Sequence, residues 1–320
     1  MIHYLNPAFV ITMVLLTSPL LADTVMGEYE GLFHPDNQST MRAAAKVISE
    51  GKDHYRIVID AYDRTRQKGA NIEISGKYAK GNCLLFGQAG GHDWKGRIRD
   101  STLDVHGVFG QYFELEKIVS RSPRAGMKPP PEAIVLLPFK KEGVPDTSLW
   151  TNPKWRALDD GSIQIVPGTG SNKTKQEFDD IKFCHIEFKL PLEPEARGQN
   201  RANGGIFVCD AYEVQLLDSF GVLQTAGDCG ALYNVARPEI NACLPPETWQ
   251  SVDIMFRAPR LDRDGKAKDH PQITVYLNSI RIYKNLEIPD PQDRERGPIR
   301  LADEGHAICF RNIWIVEGSP

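Results

Sequence analysis

Tyr212-Glu213-Val214-Gln215-Leu216-Leu217-Asp218 reads as a strand with two unlike sides. Tyr212, Val214 and Leu216 point one way and Glu213 and Gln215 the other, because side chains alternate along an extended chain. An apolar back carrying two aligned polar groups is how a sheet presents chemistry to a cleft. Asp218 has the wrong parity for that face. One β-bulge between Gln215 and Asp218 would bring it round, and bulges commonly re-aim side chains beside active sites. The plain alternative is an exposed strand face with ordinary polar residues.

The surroundings of this strand are more of the same. Segments 133–137, 161–166, 181–190, 205–209, 251–257, 273–277, 281–283 and 308–316 are apolar or alternating and are separated by turn residues. Asn278-Ser279 is a two-residue hairpin turn. About nine strands with no long helical pattern indicate a β-sandwich or jelly roll. Upstream, 55–59, 71–74, 83–86 and 112–115 form a second strand-rich block over 23–125, in which 40–49 is open between helix and extended chain. The proline-rich run ending at Pro129-Pro130-Pro131 divides the two blocks, and 126–131 reads as a semi-rigid linker to a unit at 132–317. The expected class is therefore all-β, a sandwich preceded by a small β-rich domain.

The first 22 residues differ from the rest. Ala8 to Leu16 is almost wholly apolar, Pro19 follows, and Ala22 precedes Asp23. This pattern predicts a cleaved signal peptide and an exported protein, periplasmic or extracellular, although the n-region has no Lys or Arg. Export gives the six cysteines meaning, and Cys229 and Cys243 flank one turn-rich loop suited to a disulfide. Net charge is -4 with a sequence pI near 6.1, so the chain lacks the basic footprint of nucleic-acid binders.

Several motifs together resemble a known family. Ala196-Arg197-Gly198-Gln199-Asn200-Arg201-Ala202-Asn203-Gly204-Gly205-Ile206 is similar to the pattern A-R-G-Q-x-R-G-N-S-G-I/V. The 212–218 strand follows at the right distance, then Cys229-Gly230-Ala231-Leu232-Tyr233, Asn241-Ala242-Cys243-Leu244-Pro245-Pro246 and Phe310-Arg311-Asn312-Ile313-Trp314. The set is identified as a 3-keto-disaccharide hydrolase domain over roughly 132–317. The resemblance implies a concanavalin-like jelly roll, export, and cleavage of glycosides already oxidised to a ketone at C3, with a sugar 3-dehydrogenase acting upstream. The Glu-x-Gln-x-x-Asp spacing also resembles the Glu-x-Asp-x-x-Glu strand of family 16 glycoside hydrolases. This chain departs from the keto-sugar family at three places: Gly204 stands for Ser, Ala202 for Gly, and Glu304 for the histidine of a D-H-G turn.

Cleavage of a 3-keto sugar by elimination needs a base for the C2 proton, a donor at the C3 oxygen, and a proton for the leaving group. Glu213 is the first candidate for acid–base work, with Asp218 and His306 beside it as further catalytic candidates. Arg197 and Arg201 are candidates for the ketone or enolate, because guanidinium donors are fixed and permanently charged. Asn203, Gln215, Lys175 and Glu304 complete the sugar-binding candidates. Asp303, Glu304 and His306 offer oxygen and nitrogen ligands for a divalent metal, but their spacing is no recognised cage, so the cofactor is open. A carbohydrate-binding jelly roll without turnover, or a family 16-like glycosidase, are the competing functions.

Overall fold

The computed structural model describes residues 24–36, 38–63, 68–289 and 294–320. The predicted leader at 1–22 lies outside the described residues. Among the described residues there is no α-helix, and none is long and apolar enough to cross a membrane.

The first block is a closed barrel of eight antiparallel strands: Gly27–His34, Met41–Gly51, His54–Tyr62, Lys68–Ala79, Asn82–Ala89, His92–Arg99, Thr102–Gly107 and Tyr112–Lys117. Each pairs with the next, and the first closes on the last. The stretch 40–49, ambiguous in sequence, falls almost wholly within the second strand. Ala43, Ala45 and Val47 alternate inward, and the turn Lys52-Asp53, with φ of 51° and 61°, returns the chain tightly. Tyr29, Val47, Ile57, Ile59, Leu103, Val105, Phe113 and Leu115 fill the interior, all fully buried. An eight-stranded barrel is just wide enough to be packed solid with side chains in this way.

The second block is a two-sheet sandwich, and the expected all-β jelly-roll class is what forms. A small sheet runs in the order Asn172–Phe178, Gly297–Leu301, Gly204–Val208, Tyr212–Leu216. A large sheet is built around Cys309–Glu317, Ile181–Lys189, Gln250–Arg257, Gln272–Leu277 and Ile280–Glu287, with short strands at its edge. Ile206, Val208, Val214 and Leu216 from the small sheet meet Ile186, Val252, Ile254, Val275, Ile313 and Ile315 from the large one, all with no exposure. Asn278 and Ser279 make the expected hairpin turn, with φ of 52° and 69°.

The proline-rich connection is not an extended spacer. It turns repeatedly (Ala125 N–H to Ser122 O, Met127 N–H to Arg124 O, Ala133 N–H to Pro130 O) and lies against the outer face of the large sheet. There Arg124 pairs with Asp253 at 2.5 Å, and the Gly126 N–H donates to Glu187 at 2.5 Å. Glu187 also accepts from Arg311 and Asn312, and His185 bridges Asp253 and Glu187 from below. His185, Glu187 and Asp253 have no exposure at all. Buried charges of this kind are tolerated only when every one is partnered, and the connection supplies partners that the sheet lacks.

Candidate active site

Glu213 stands on the outer face of the small sheet, as the alternation requires. Cross-strand pairing puts Phe207 beside it, Arg300 beside Phe207, and Lys173 beside Arg300. Gln215 pairs with Gly205 one step along. Gly205 is there for space: a Cβ on it would lie 2.1 Å from Glu213 Oε1. Burial raises the Glu213 carboxyl to about 7; Arg300 pulls it down and Glu304 pushes it up.

Gln215 is buried and knits the polar face together. In one amide orientation its nitrogen donates to Gln199 Oε1 and Asn203 Oδ1 at 3.0 and 3.1 Å; in the other it lies 2.8 Å from Gly204 O and 3.3 Å from Glu213 Oε1. His306 Nδ1 meets Glu193 at 2.8 Å, and the same carboxylate accepts the Ala202 N–H at 2.8 Å. The 302–308 loop that carries Glu304 and His306 runs beside Gly204 and Gly205, with the Ala302 N–H donating to Gly205 O. Asn203, Gln215, Glu213, Glu304 and His306 thus belong to one region.

Arg300 is the guanidinium of this face. It stacks on Phe207 with its carbon 3.3 Å from the ring centroid and bonds Asp210 at 2.5 Å. Lys173 and Arg294 reach the same carboxylate at 2.7 and 3.3 Å. Burial works against Asp210 ionising, but hydrogen bonds from Lys173 and Arg300 hold it below the ordinary carboxylate range.

Four candidates from sequence lie elsewhere. Asp218 is not brought round by a bulge: the strand ends at Leu216, and Asp218 pairs with Arg201 at 2.6 Å, both buried. Burial raises the Asp218 carboxyl despite Arg201. Arg201 also donates to Ser49 O in the barrel at 3.1 Å, and Arg197 to Glu50 O at 3.0 Å. Both arginines therefore clasp the barrel instead of facing Glu213. Lys175 is exposed, past the irregularity that follows Lys173.

Asp303, Glu304 and His306, which offered possible metal ligands, are not gathered into a metal site. Asp303 is taken up by the Gly170 and Gly305 N–H groups at 2.9 and 3.0 Å. Among the described residues no group of three or more His, Cys, Asp or Glu side chains is placed to hold a metal ion. The Cys229–Cys243 bridge is not formed; all six cysteines are free and buried. Cys229 and Cys243 do touch, since a hydrogen bond between them, together with burial, pushes the Cys243 thiol well up. Trp314 packs on Phe183 and His185 as core, and Trp249 lies between the cations of Arg311 and Lys189.

Residues 141–316, a little over half of the chain, match the model of the 3-keto-alpha-glucoside-1,2-lyase-like domain. The chain belongs to that family. A crystal structure described as "a putative glycosyl hydrolase from Parabacteroides distasonis ATCC 8503" is similar at 33% identity, covering 59% of this chain and 85% of that one, with a TM-score of 0.53. A second structure with the same description shares 16% identity over 63% and 99% of the two chains, with a TM-score of 0.43. No curated protein matches. A glycoside-related, glycosidase-like function follows at the level of the family.

Within this 3-keto-alpha-glucoside-1,2-lyase-like domain the departures from the family pattern acquire physical meaning. Gly204 pairs with Leu216 and so faces the core, and a Cβ there would lie 2.6 Å from Ile308 Cδ1. The hydroxyl lost with the usual Ser is replaced by an isoleucine methyl, not by open cleft. Ala202 keeps the left-handed backbone, φ 49°, that a glycine adopts freely. Phe207, Arg300, Lys173, Asp210 and Glu193 escaped the sequence reading.

Proposed function

We propose that the protein cleaves 3-keto-glycosides by elimination and hydration, with Glu213 as the base. The observation that carries this reading is Glu213 itself: a half-buried carboxyl held near 7 beside a guanidinium, on the polar face of a sheet. Such a group exchanges protons close to neutral pH, where general acid–base catalysis works best. Glu213 takes the C2 proton, and the bond electrons form the C2–C3 enolate, its charge on the C3 oxygen. Arg300 is the donor for that oxygen, a role that sequence had given to Arg197 and Arg201. The enolate then collapses, C1–C2 becomes a double bond, and the C1–O bond breaks.

The leaving oxygen takes a proton from His306, whose Nδ1 is held by Glu193, so transfer falls to Nε2. Water adds afterwards, its hydroxyl to C1 and a proton to C2. Gln215, Asn203 and Gln199 suit sugar hydroxyls because amides both donate and accept. The family 16 arrangement is less well supported, because Asp218, the second carboxylate its strand pattern needs, is committed to Arg201. We also propose export, on the strength of the apolar 8–16 run, and an upstream enzyme that oxidises the sugar at C3.

The test is incubation in D2O with a 3-keto-glycoside and its unoxidised parent. Elimination places deuterium at C2 of the released sugar at early time points, above a no-enzyme control. Cleavage without deuterium at C2 would sink the mechanism. Cleavage of the parent alone would favour the family 16 reading, and binding without cleavage would make the protein a lectin.

A further inference from the structure

The strand that carries Glu213 makes one more pairing, on the side away from Phe207. Val214 forms a single antiparallel bridge with Leu232. The Gln215 N–H donates to Ala231 O at 2.9 Å and the Tyr233 N–H to Glu213 O at 3.0 Å. That pattern sets Ala231 opposite Gln215 and Tyr233 opposite Glu213. Leu232 and Val214 are both buried in the core between the sheets. Paired residues share a face and neighbours alternate, so Tyr233 stands on the polar face beside Glu213, half-buried. Its segment is held firmly. Tyr283 Oη takes the Leu232 N–H at 3.2 Å and donates to Ala236 O at 2.7 Å, and the chain turns back at Asn234, φ 57°. Glu213 thus has Phe207 and the Arg300 guanidinium on one flank and a tyrosine on the other. A tyrosine is longer than a glutamate, so its ring rises beside the carboxyl as a wall.

Which part of a substrate meets that wall follows from stereochemistry, given the elimination proposed above, on which this inference rests. The C2 hydrogen is acidic when it stands perpendicular to the C3 carbonyl plane, which in a 3-keto-glucoside ring means axial. With that hydrogen on Glu213, the ring lies flat over the sheet and its equatorial groups point sideways. In a β-glycoside O1, C1, C2, C3 and O3 form one extended zigzag, so O1 and O3 lie on opposite sides of C2. Placing O3 at Arg300 therefore sends a β-linked O1 toward Tyr233. An α-linked O1 is axial, points away from Glu213 and clears the wall. We propose that Tyr233 forms the aglycone subsite, its ring packing against a β-linked aglycone that itself presents a ring. Such packing draws on buried apolar area and on the ring quadrupole, and a methyl group gains little from either.

The test uses the methyl and benzyl 3-keto-glucosides in both anomers. Methanol and benzyl alcohol are of similar acidity, so the two leaving groups differ in the ring and not in the ease of departure. For the β pair, kcat/KM for benzyl is expected to exceed that for methyl by about fivefold or more, mostly through KM. Tyr233→Ala brings that ratio to about one, whereas Tyr233→Phe, which keeps the ring, preserves it. A ratio taken within one preparation does not depend on how much of the variant folds. The α pair is the control, its ratio being the same in the parent and in Tyr233→Ala. Equal kcat/KM for the β pair in the parent, a β preference that survives Tyr233→Ala or is lost in Tyr233→Phe, an equal loss in the α pair, or turnover of α-glucosides alone overturns the subsite and leaves the elimination intact. If no ketone is cleaved, the elimination reading falls by itself, and titration calorimetry with methyl and benzyl β-glucoside decides the subsite. Tighter benzyl binding that Tyr233→Ala loses upholds it; equal affinity, or no binding, overturns it.

Discussion

Glu213 has to be ionised to take a proton, and burial makes ionisation costly. Its carboxyl is held at about 7 in the folded protein against an ordinary value of 4.5, so the folded state binds the proton more tightly than the unfolded chain. That contribution to stability is fully present below about 4.5 and is lost as the pH rises through about 7. Activity runs the other way: kcat/KM on a 3-keto-glycoside should climb with pH to a plateau above an acid limb near 7. Glu213→Gln should lower turnover by at least about 100-fold, as loss of a general base does. The same variant should melt no lower than the parent at pH 8, and its advantage should shrink toward pH 5, because it removes a carboxylate that is costly only when charged. A pH-independent melting difference, or near-parental turnover, would take Glu213 out of this role.

At the scale of elements, the polar face depends on a glycine that leaves room for a side chain on the next strand. Gly205→Ala would drive a methyl into Glu213 Oε1, whose side chain can swing aside, so the fold should survive. Circular dichroism should be unchanged while turnover falls by roughly tenfold or more, since an acid–base group displaced by an ångström loses much of its effect. Unaltered turnover would mean that Glu213 does not act from its present position. The strand carrying Glu213 and Gln215 was legible because its alternation is local, and so were Asn203 and most strands of the large sheet. The strands Asn172–Phe178 and Gly297–Leu301 were not. One is interrupted by a register shift and rich in polar residues, the other is short and contains Pro298, so neither alternates cleanly. With them went Lys173 and Arg300, which join the site only through pairing between strands some ninety or more residues apart. Asp218 and Arg201 misled for the opposite reason. Their motif is local, but their partners are each other and the barrel.

For the molecule as a whole, the barrel and the sandwich are tied at two places by buried charge. Arg201 holds Asp218 and reaches Ser49 O, while the 118–133 connection caps His185, Glu187 and Asp253 on the far sheet. Removing one member of a buried pair costs ~3–5 kcal/mol, because the other is left charged and dry. Against a typical total of about 5–15 kcal/mol that is a large share. Arg201→Ala should therefore lower the urea midpoint sharply although it touches no residue of the Glu213 face. The connection can be tested separately. Arg124 lies outside both sheets, its side chain is 31% exposed, and its partner Asp253 is wholly buried. If the connection were a passive spacer, Arg124→Ala would be silent. If it supplies Asp253 with its counter-charge, the variant should lose about 2 kcal/mol or more, discounted from the buried-pair figure because Arg124 is partly solvated and His185 still bonds Asp253. Arg124→Ala combined with Asp253→Asn should recover part of that loss, since the double variant leaves no unpaired buried charge. An unchanged midpoint in the single variant, or no recovery in the double, would return the connection to the role of a linker.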